Sequence, residues 1–138
     1  MSKKVVRFRL KRFLPSEADE QATVVAWANM YAHRRPALFL LYAVPNGAIA
    51  GPGRFQIVAM MKKMGLKNGV PDLVLPVARP PYHALYIEMK RKHGTLSDID
   101  DEQMGWHSIL RQYGNKVEVC FGAMQAIKAL QSYVEGLP

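Results

Sequence analysis

The chain is predicted to fold as a mixed α/β domain, with elements in the order helix, strand, helix, two strands, helix, strand, helix. Three observations predict this class. Apolar runs of strand length recur at 38–44, 72–77, 84–89 and 116–121, bounded by Gly, Pro and Asn. Segments with helical apolar spacing or capping signals fill the intervals. At 138 residues, 49% hydrophobic and 22% charged, the chain suits one domain with a proper core rather than a disordered segment.

The elements follow in order. Residues 1–15 form a basic N-terminal arm in which Arg7, Arg9 and Lys11 alternate with Phe8 and Leu10, as in an extended segment; residues 16–138 form the domain. Ser16 is the expected N-cap of a first helix reaching about Ala32, with Asp19 and Glu20 in its positive first turn. Val24, Val25, Trp27, Ala28 and Tyr31 supply its buried face. The continuous apolar run 38–44 reads as a central strand. Gly and Pro then break the chain as far as Gly53, and Arg54–Met64 reads as a short helix stopped by Gly65. Residues 72–77 and 84–89 are buried strands joined by a turn at Arg79, Pro80, Pro81 and Tyr82. Ser97 is the expected cap of a helix to about Tyr113. A strand at 116–121 and a closing helix at 123–134, with Met124, Ile127, Leu130 and Val134 inward, complete the order.

Nineteen Lys+Arg against eleven Asp+Glu give a formal charge of +8, which suits a polyanionic partner such as nucleic acid. No apolar run approaches the roughly 20 residues needed to span a membrane. The basic amino terminus lacks the apolar core of a signal peptide, so a cytoplasmic location is expected. The single cysteine, Cys120, lies in a strand and is expected to be a buried, inert thiol. No Gly-rich phosphate loop of the Walker type occurs, which argues against a nucleotide cofactor.

The chemistry concentrates at Asp72, which opens one strand, and at Glu88 and Lys90, which close the next. Antiparallel pairing brings Asp72 and Glu88 to one end of the hairpin, and Lys90 shares the Glu88 face because side chains alternate along a strand. Two carboxylates suit Mg²⁺ or Mn²⁺, which prefer oxygen ligands and keep several waters. Both acids interrupt apolar strands, where an unpaired charge is costly. Taken alone, an Asp…Glu-x-Lys pattern also arises by chance.

The order of motifs around these residues is more specific. Glu17, Glu20, Gln21 and Trp27 lie in the first helix; Val44, Pro45, Asn46 and Gly47 follow a strand. Gly65, Lys67, Gly69, Val70, Pro71 and Asp72 come next, then Ile87, Glu88 and Lys90, then Leu96 and Ser97, Gln103 and Trp106, and Tyr113 and Gly114. Over residues 16–134 this series resembles the virus-type replication-repair nuclease (VRR-NUC) domain of the PD-(D/E)xK nuclease superfamily. The resemblance implies a restriction-endonuclease-like αβββαβ core, here with an inserted helix and a C-terminal helix. It implies a Mg²⁺- or Mn²⁺-dependent DNA endonuclease in which Asp72, Glu88 and the backbone carbonyl of Met89 hold the metal. Lys90 would position the attacking water, Gln103 would assist, and Glu20 or, in competition, Glu17 would be a third acid. Short phage-type members of the family are homodimers that cut four-way junctions, so a homodimer acting on branched DNA is expected. The stretch from Ser97 to Gln103 is longer than the family pattern, which leaves the register of that helix open.

Asn46, Lys62, Lys67, Arg91, Lys92 and His93 are candidate DNA contacts beside the site. Asp98, Asp100, Asp101 and Glu102 are read as an acidic helix start rather than a second metal cluster, since acids there are electrostatically favoured. His33, His83, His93 and His107 lack pairing or nearby cysteines, so zinc is not expected. Trp106 is read as core.

Overall fold

The computed structural model describes residues 14–45 and 51–136. Almost all of the basic arm, and Asn46, therefore lie outside the described residues. Helix α1 spans Glu17–Tyr31. Ser16 Oγ accepts the Asp19 N–H at 3.1 Å and Asp19 Oδ2 accepts the Ser16 N–H at 3.0 Å, a reciprocal cap for two orphan donors. Residues Glu20, Val24 and Ala28, four apart, form its buried stripe. Tyr31, expected inside, is exposed and leans on Trp27 with ring centroids 5.3 Å apart.

The run 38–44 departs from expectation. Pro36–Leu40 forms a 3₁₀ turn and only Tyr42–Ala43 pair as strand β1, at the edge of the sheet rather than its centre. Proline's fixed φ favours a helical first turn, and of this run only Leu38 is buried while Phe39, Leu40 and Tyr42 face out. An unbroken apolar run carries no period, so its composition alone did not reveal which residues turn inward.

Helix α2 spans Arg54–Lys63 and buries none of its residues. Strands β2 (Leu73–Leu75) and β3 (Leu85–Lys90) pair antiparallel, Leu73 opposite Ile87 and Leu75 opposite Leu85. Helix α3 (Asp101–Gln112) crosses over to β4 (Lys116–Phe121), which runs parallel to β3 with Glu88 opposite Val119. Helix α4 (Ala123–Glu135) closes the chain. The sheet order is β1-β2-β3-β4, a mixed sheet as predicted.

Pleating sorts the side chains by face. Leu73, Leu75, Leu85, Ile87, Met89 and Cys120 join Val24 and Ala28 of α1 and Ala126 and Leu130 of α4 in the core. Val74, Tyr86, Glu88 and Lys90 take the alternate face, toward α3. Met124, expected inward, is exposed, and Ala126 and Tyr133 fill the α4 interface instead. The Tyr133 hydroxyl donates to the Val77 carbonyl at 2.6 Å, and Arg79 Nε donates to the Val134 carbonyl at 3.3 Å. The outgoing end of the hairpin is thus tied to α4, leaving its opposite end to carry the acids. Among the described residues no helix is long and apolar enough to cross a membrane.

The segment between α2 and β2 depends on Gly69. Its φ is +82°, and a Cβ there would lie 2.8 Å from the Glu102 backbone carbon. Only glycine allows both the left-handed turn and this approach to the first turn of α3. Gly69→Ala is expected to lower unfolding free energy by about 1–3 kcal/mol. Unchanged stability in urea unfolding would mean that the contact with α3 is not constraining.

Candidate active site

The β2–β3 register determines where the charges meet. Continuing it one residue beyond Leu73 opposite Ile87 sets Asp72 opposite Glu88, on the face that also carries Lys90. Pro71 is buried and the Asp72 carbonyl accepts the Val44 N–H at 2.8 Å, so the backbone before β2 is anchored from both sides. Asp72 Oδ2 accepts the Met89 N–H at 2.7 Å. In an extended strand the N–H and C=O of one residue point toward the same neighbour. The Met89 carbonyl therefore faces the side on which Asp72 lies.

Glu88 and Lys90 are buried, and Glu88 is enclosed by donors. Gln103 Nε2 donates to Glu88 Oε1 at 2.8 Å, and Lys90 Nζ lies 3.8 Å from the same oxygen. Lys90 Nζ also donates to Gln103 Oε1 at 3.1 Å. The other oxygen, Glu88 Oε2, lies 3.3 Å from Nε2 of the buried His107. Burial and repulsion from Glu88 push the Asp72 carboxyl up to about 6, against the opposing pull of the Met89 N–H and Lys90. Two acids that meet on one face, with the Met89 carbonyl on the side of Asp72, form a donor set of hard oxygens that suits a small divalent cation.

Gln103 reaches this cluster through the cap of its own helix. Asp100 is the N-cap of α3: its Oδ1 accepts the Gln103 N–H at 2.8 Å, while Gln103 Oε1 accepts the Asp100 N–H at 3.1 Å. Ser97, expected as the cap, sits instead in a 3₁₀ turn, Leu96–Asp98, capped by Thr95. That extra turn absorbs the longer stretch before Gln103 and resolves the register of the helix. The acids Asp98, Asp100, Asp101 and Glu102 belong to these two helix starts.

A family profile and a solved structure both match the chain. A profile of the VRR-NUC domain matches residues 16–124. The chain belongs to the VRR-NUC family. A solved structure described as a VRR_NUC domain protein superimposes with a TM-score of 0.70 at 26% identity, covering 89% of this chain and 91% of that one. Curated proteins provide no significant match. Membership of the family makes this a nuclease domain of the PD-(D/E)xK type.

The remaining candidates of this VRR-NUC domain fall into three groups. Glu20 is buried, but its Oε2 accepts the Ala123 N–H at 2.6 Å and so caps α4; Glu17 is exposed. Gly122 next to Ala123 donates to the Lys90 carbonyl at 2.9 Å, so Glu20 stands at the Lys90 end of the sheet without joining Asp72 and Glu88. Among the described residues no group of three or more His, Cys, Asp or Glu forms a metal cluster. Lys62 and Lys67 line one groove together with Gln103. Arg91, Lys92 and His93 are exposed in the turn after β3. Burial, with Glu118 nearby, pushes the Cys120 thiol up to about 12, which leaves it unreactive.

His107 was missed. It lies four residues after Gln103 in α3, so a helix that presents one to Glu88 presents the other one turn on. The i,i+4 spacing from Gln103 is the signal in the sequence that places His107 beside Glu88.

A cation needs Asp72 ionised, so affinity for Mn²⁺ in calorimetric titration should rise up to about tenfold per pH unit below about 6 and then level off. The same raised carboxyl stabilises the metal-free domain fully below the unfolded value of 3.8, a contribution lost as pH rises through about 6. A flat affinity profile between pH 5 and 7 would contradict the acid pair. His107→Ala frees Glu88 Oε2 to rotate, and should weaken Mn²⁺ binding about 10–100-fold. Wild-type affinity in that variant would limit His107 to packing.

Proposed function

We propose that the domain is a Mg²⁺- or Mn²⁺-dependent endodeoxyribonuclease that hydrolyses phosphodiester bonds in branched or four-way-junction DNA as a homodimer. The observation that carries the reading is the convergence of Asp72 and Glu88, with Lys90 and Gln103 bonded around them, at one end of the β2–β3 pair. Asp72, Glu88 and the Met89 carbonyl would hold the ion. When bound, it polarises the scissile phosphate and lowers the pKa of a coordinated water.

The chain's own residues set the geometry for attack. Lys90, buried and tethered by Gln103, orients the attacking water and faces charge that grows on the phosphoryl oxygens. Gln103 keeps Lys90 from collapsing onto Glu88: its amide nitrogen satisfies the carboxylate while its carbonyl oxygen holds the ammonium. His107 fixes the second Glu88 oxygen, so the carboxylate would be offered to an ion in one orientation. Glu20 would act as the third acid by releasing the Ala123 N–H to a support of waters at the Lys90 end.

Two features support the DNA and homodimer parts of the proposal. The excess of 19 Lys+Arg over 11 Asp+Glu draws a polyanion by counterion release. Ile57, Met60 and Met64 form an exposed apolar stripe along α2, and Phe39, Leu40 and Tyr42 are exposed beside the open β1 edge. Exposed apolar stripes and sheet edges of this kind suit association between copies.

Linear duplex, flap and four-way-junction DNA incubated with Mn²⁺ test the substrate. Cutting concentrated at the branch is expected; discrete duplex fragments would indicate a sequence-specific restriction-type enzyme, and no cutting a binding module. Asp72→Asn and Glu88→Gln should each lower the rate by at least about 10³-fold with DNA binding retained. Turnover within tenfold of wild type would remove the assignment. A monomer at micromolar concentration in sedimentation would remove the homodimer.

A further inference from the structure

Helix α2 presents a second surface that the catalytic residues do not use. Arg54, Phe55, Val58, Ala59 and Lys62 lie on the side opposite its apolar stripe and form one wall of an open groove of about 830 Å³. The loop from Leu66 to Val70 forms a second wall and carries Lys67. The first turn of α3, with Asp100, Glu102 and Gln103, forms the third. Gln103 thus belongs to both places: its side chain bonds Glu88 and Lys90 while the residue borders the groove. Whatever fills the groove ends beside the proposed reacting phosphate.

The lining chemistry limits the occupant. Phe55 is 74% exposed, and the Arg54 guanidinium carbon stands 4.8 Å from its ring centroid. The guanidinium lies over one face of the ring, and an exposed phenyl ring backed in this way offers its other face as a stacking platform for a flat, electron-rich ring. Lys62 and Lys67 flank that platform as phosphate partners. Asp100 and Glu102 keep phosphates off the third wall, and Asp100 is already committed to the Gln103 N–H. A volume near 830 Å³ lies within the roughly 300–1,000 Å³ of small-ligand sites. A base within a continuous duplex has both faces covered by its neighbours and offers none to Phe55; an unpaired base does.

We propose that this groove seats one unpaired nucleotide of the DNA substrate, its base stacked on Phe55 and its flanking phosphates on Lys62 and Lys67. The inference rests on the nuclease reading and gives it a physical means of selecting branch points. Unpaired nucleotides occur at flaps, and at four-way junctions where the pairs at the branch open; the groove would hold one next to the bond to be cut.

The test uses the full chain in EDTA, where binding is read without cleavage. Wild type, Phe55→Ala and Phe55→Trp are titrated with a flap oligonucleotide carrying 2-aminopurine at the first unpaired position, and with the fully paired duplex of the same sequence. Phe55→Ala should weaken flap binding about tenfold and duplex binding less than about twofold, with Phe55→Trp restoring the flap affinity. The 2-aminopurine emission should fall on binding to wild type and to Phe55→Trp, and stay unchanged with Phe55→Ala. Equal effects on both DNAs, or none, would overturn the proposal. So would a Phe55→Ala protein that sediments as a smaller species than wild type, since the groove would then be a contact between copies. The nuclease reading fails separately, by absence of cutting of any of these DNAs by wild type in Mn²⁺, whatever the binding titrations give.

Discussion

The burial of the Asp72 carboxyl beside Glu88 is the constraint on which the site depends. Two carboxylates set opposite one another on paired strands destabilise the sheet end that carries them. The fold accepts this because polar groups close around the acids: the Met89 N–H donates to Asp72, the Gln103 amide donates to one Glu88 oxygen that Lys90 faces at 3.8 Å, and His107 Nε2 lies 3.3 Å from the other. Burial first and the neighbouring Glu88 second keep the Asp72 carboxyl raised, and a divalent cation would offset both. Local instability of this kind, supported by rigid surroundings, is typical of functional sites.

The surroundings are rigid for identifiable reasons. The core face of the sheet is packed against α1 and α4, so strands β2 and β3 cannot slide without exposing Leu73, Leu75, Leu85 and Ile87. A slip of one residue would also transfer Glu88 and Lys90 to the apolar side. Gly69 lets the segment before Asp72 lie against the first turn of α3, and the Asp100 cap orients Gln103 in that same turn. One helix terminus therefore joins the two halves of the site, the acid from the loop and the amide that steadies the lysine.

Helix α2 stands apart from this framework. It buries none of its residues, and its two sides differ in character: an apolar stripe of Ile57, Met60 and Met64, and a basic, aromatic wall beside Gln103. A ten-residue helix is marginal on its own, since most helical stability in proteins comes from packing. Its exposed surfaces have burial to gain from an external partner. A second copy on the stripe and nucleic acid on the wall would use the two sides without competing.

The sequence determined, without help, the class of the domain, the antiparallel hairpin and the meeting of Asp72 with Glu88 and Lys90. Period-two alternation and turn chemistry are local, and a hairpin converts them directly into register. The capped helix at Ser16 and the inertness of Cys120 were legible for the same reason. Only the tertiary structure decided what depends on contacts between distant segments. The run 38–44 became a turn and a two-residue edge strand with Phe39 and Tyr42 left exposed, and burial is not encoded in an apolar run itself. Glu20 was assigned to the Ala123 N–H, and His107 to Glu88, by helices that meet the sheet from opposite faces. A side chain's partner across such a gap is set by packing angle and depth, which neither spacing nor composition records.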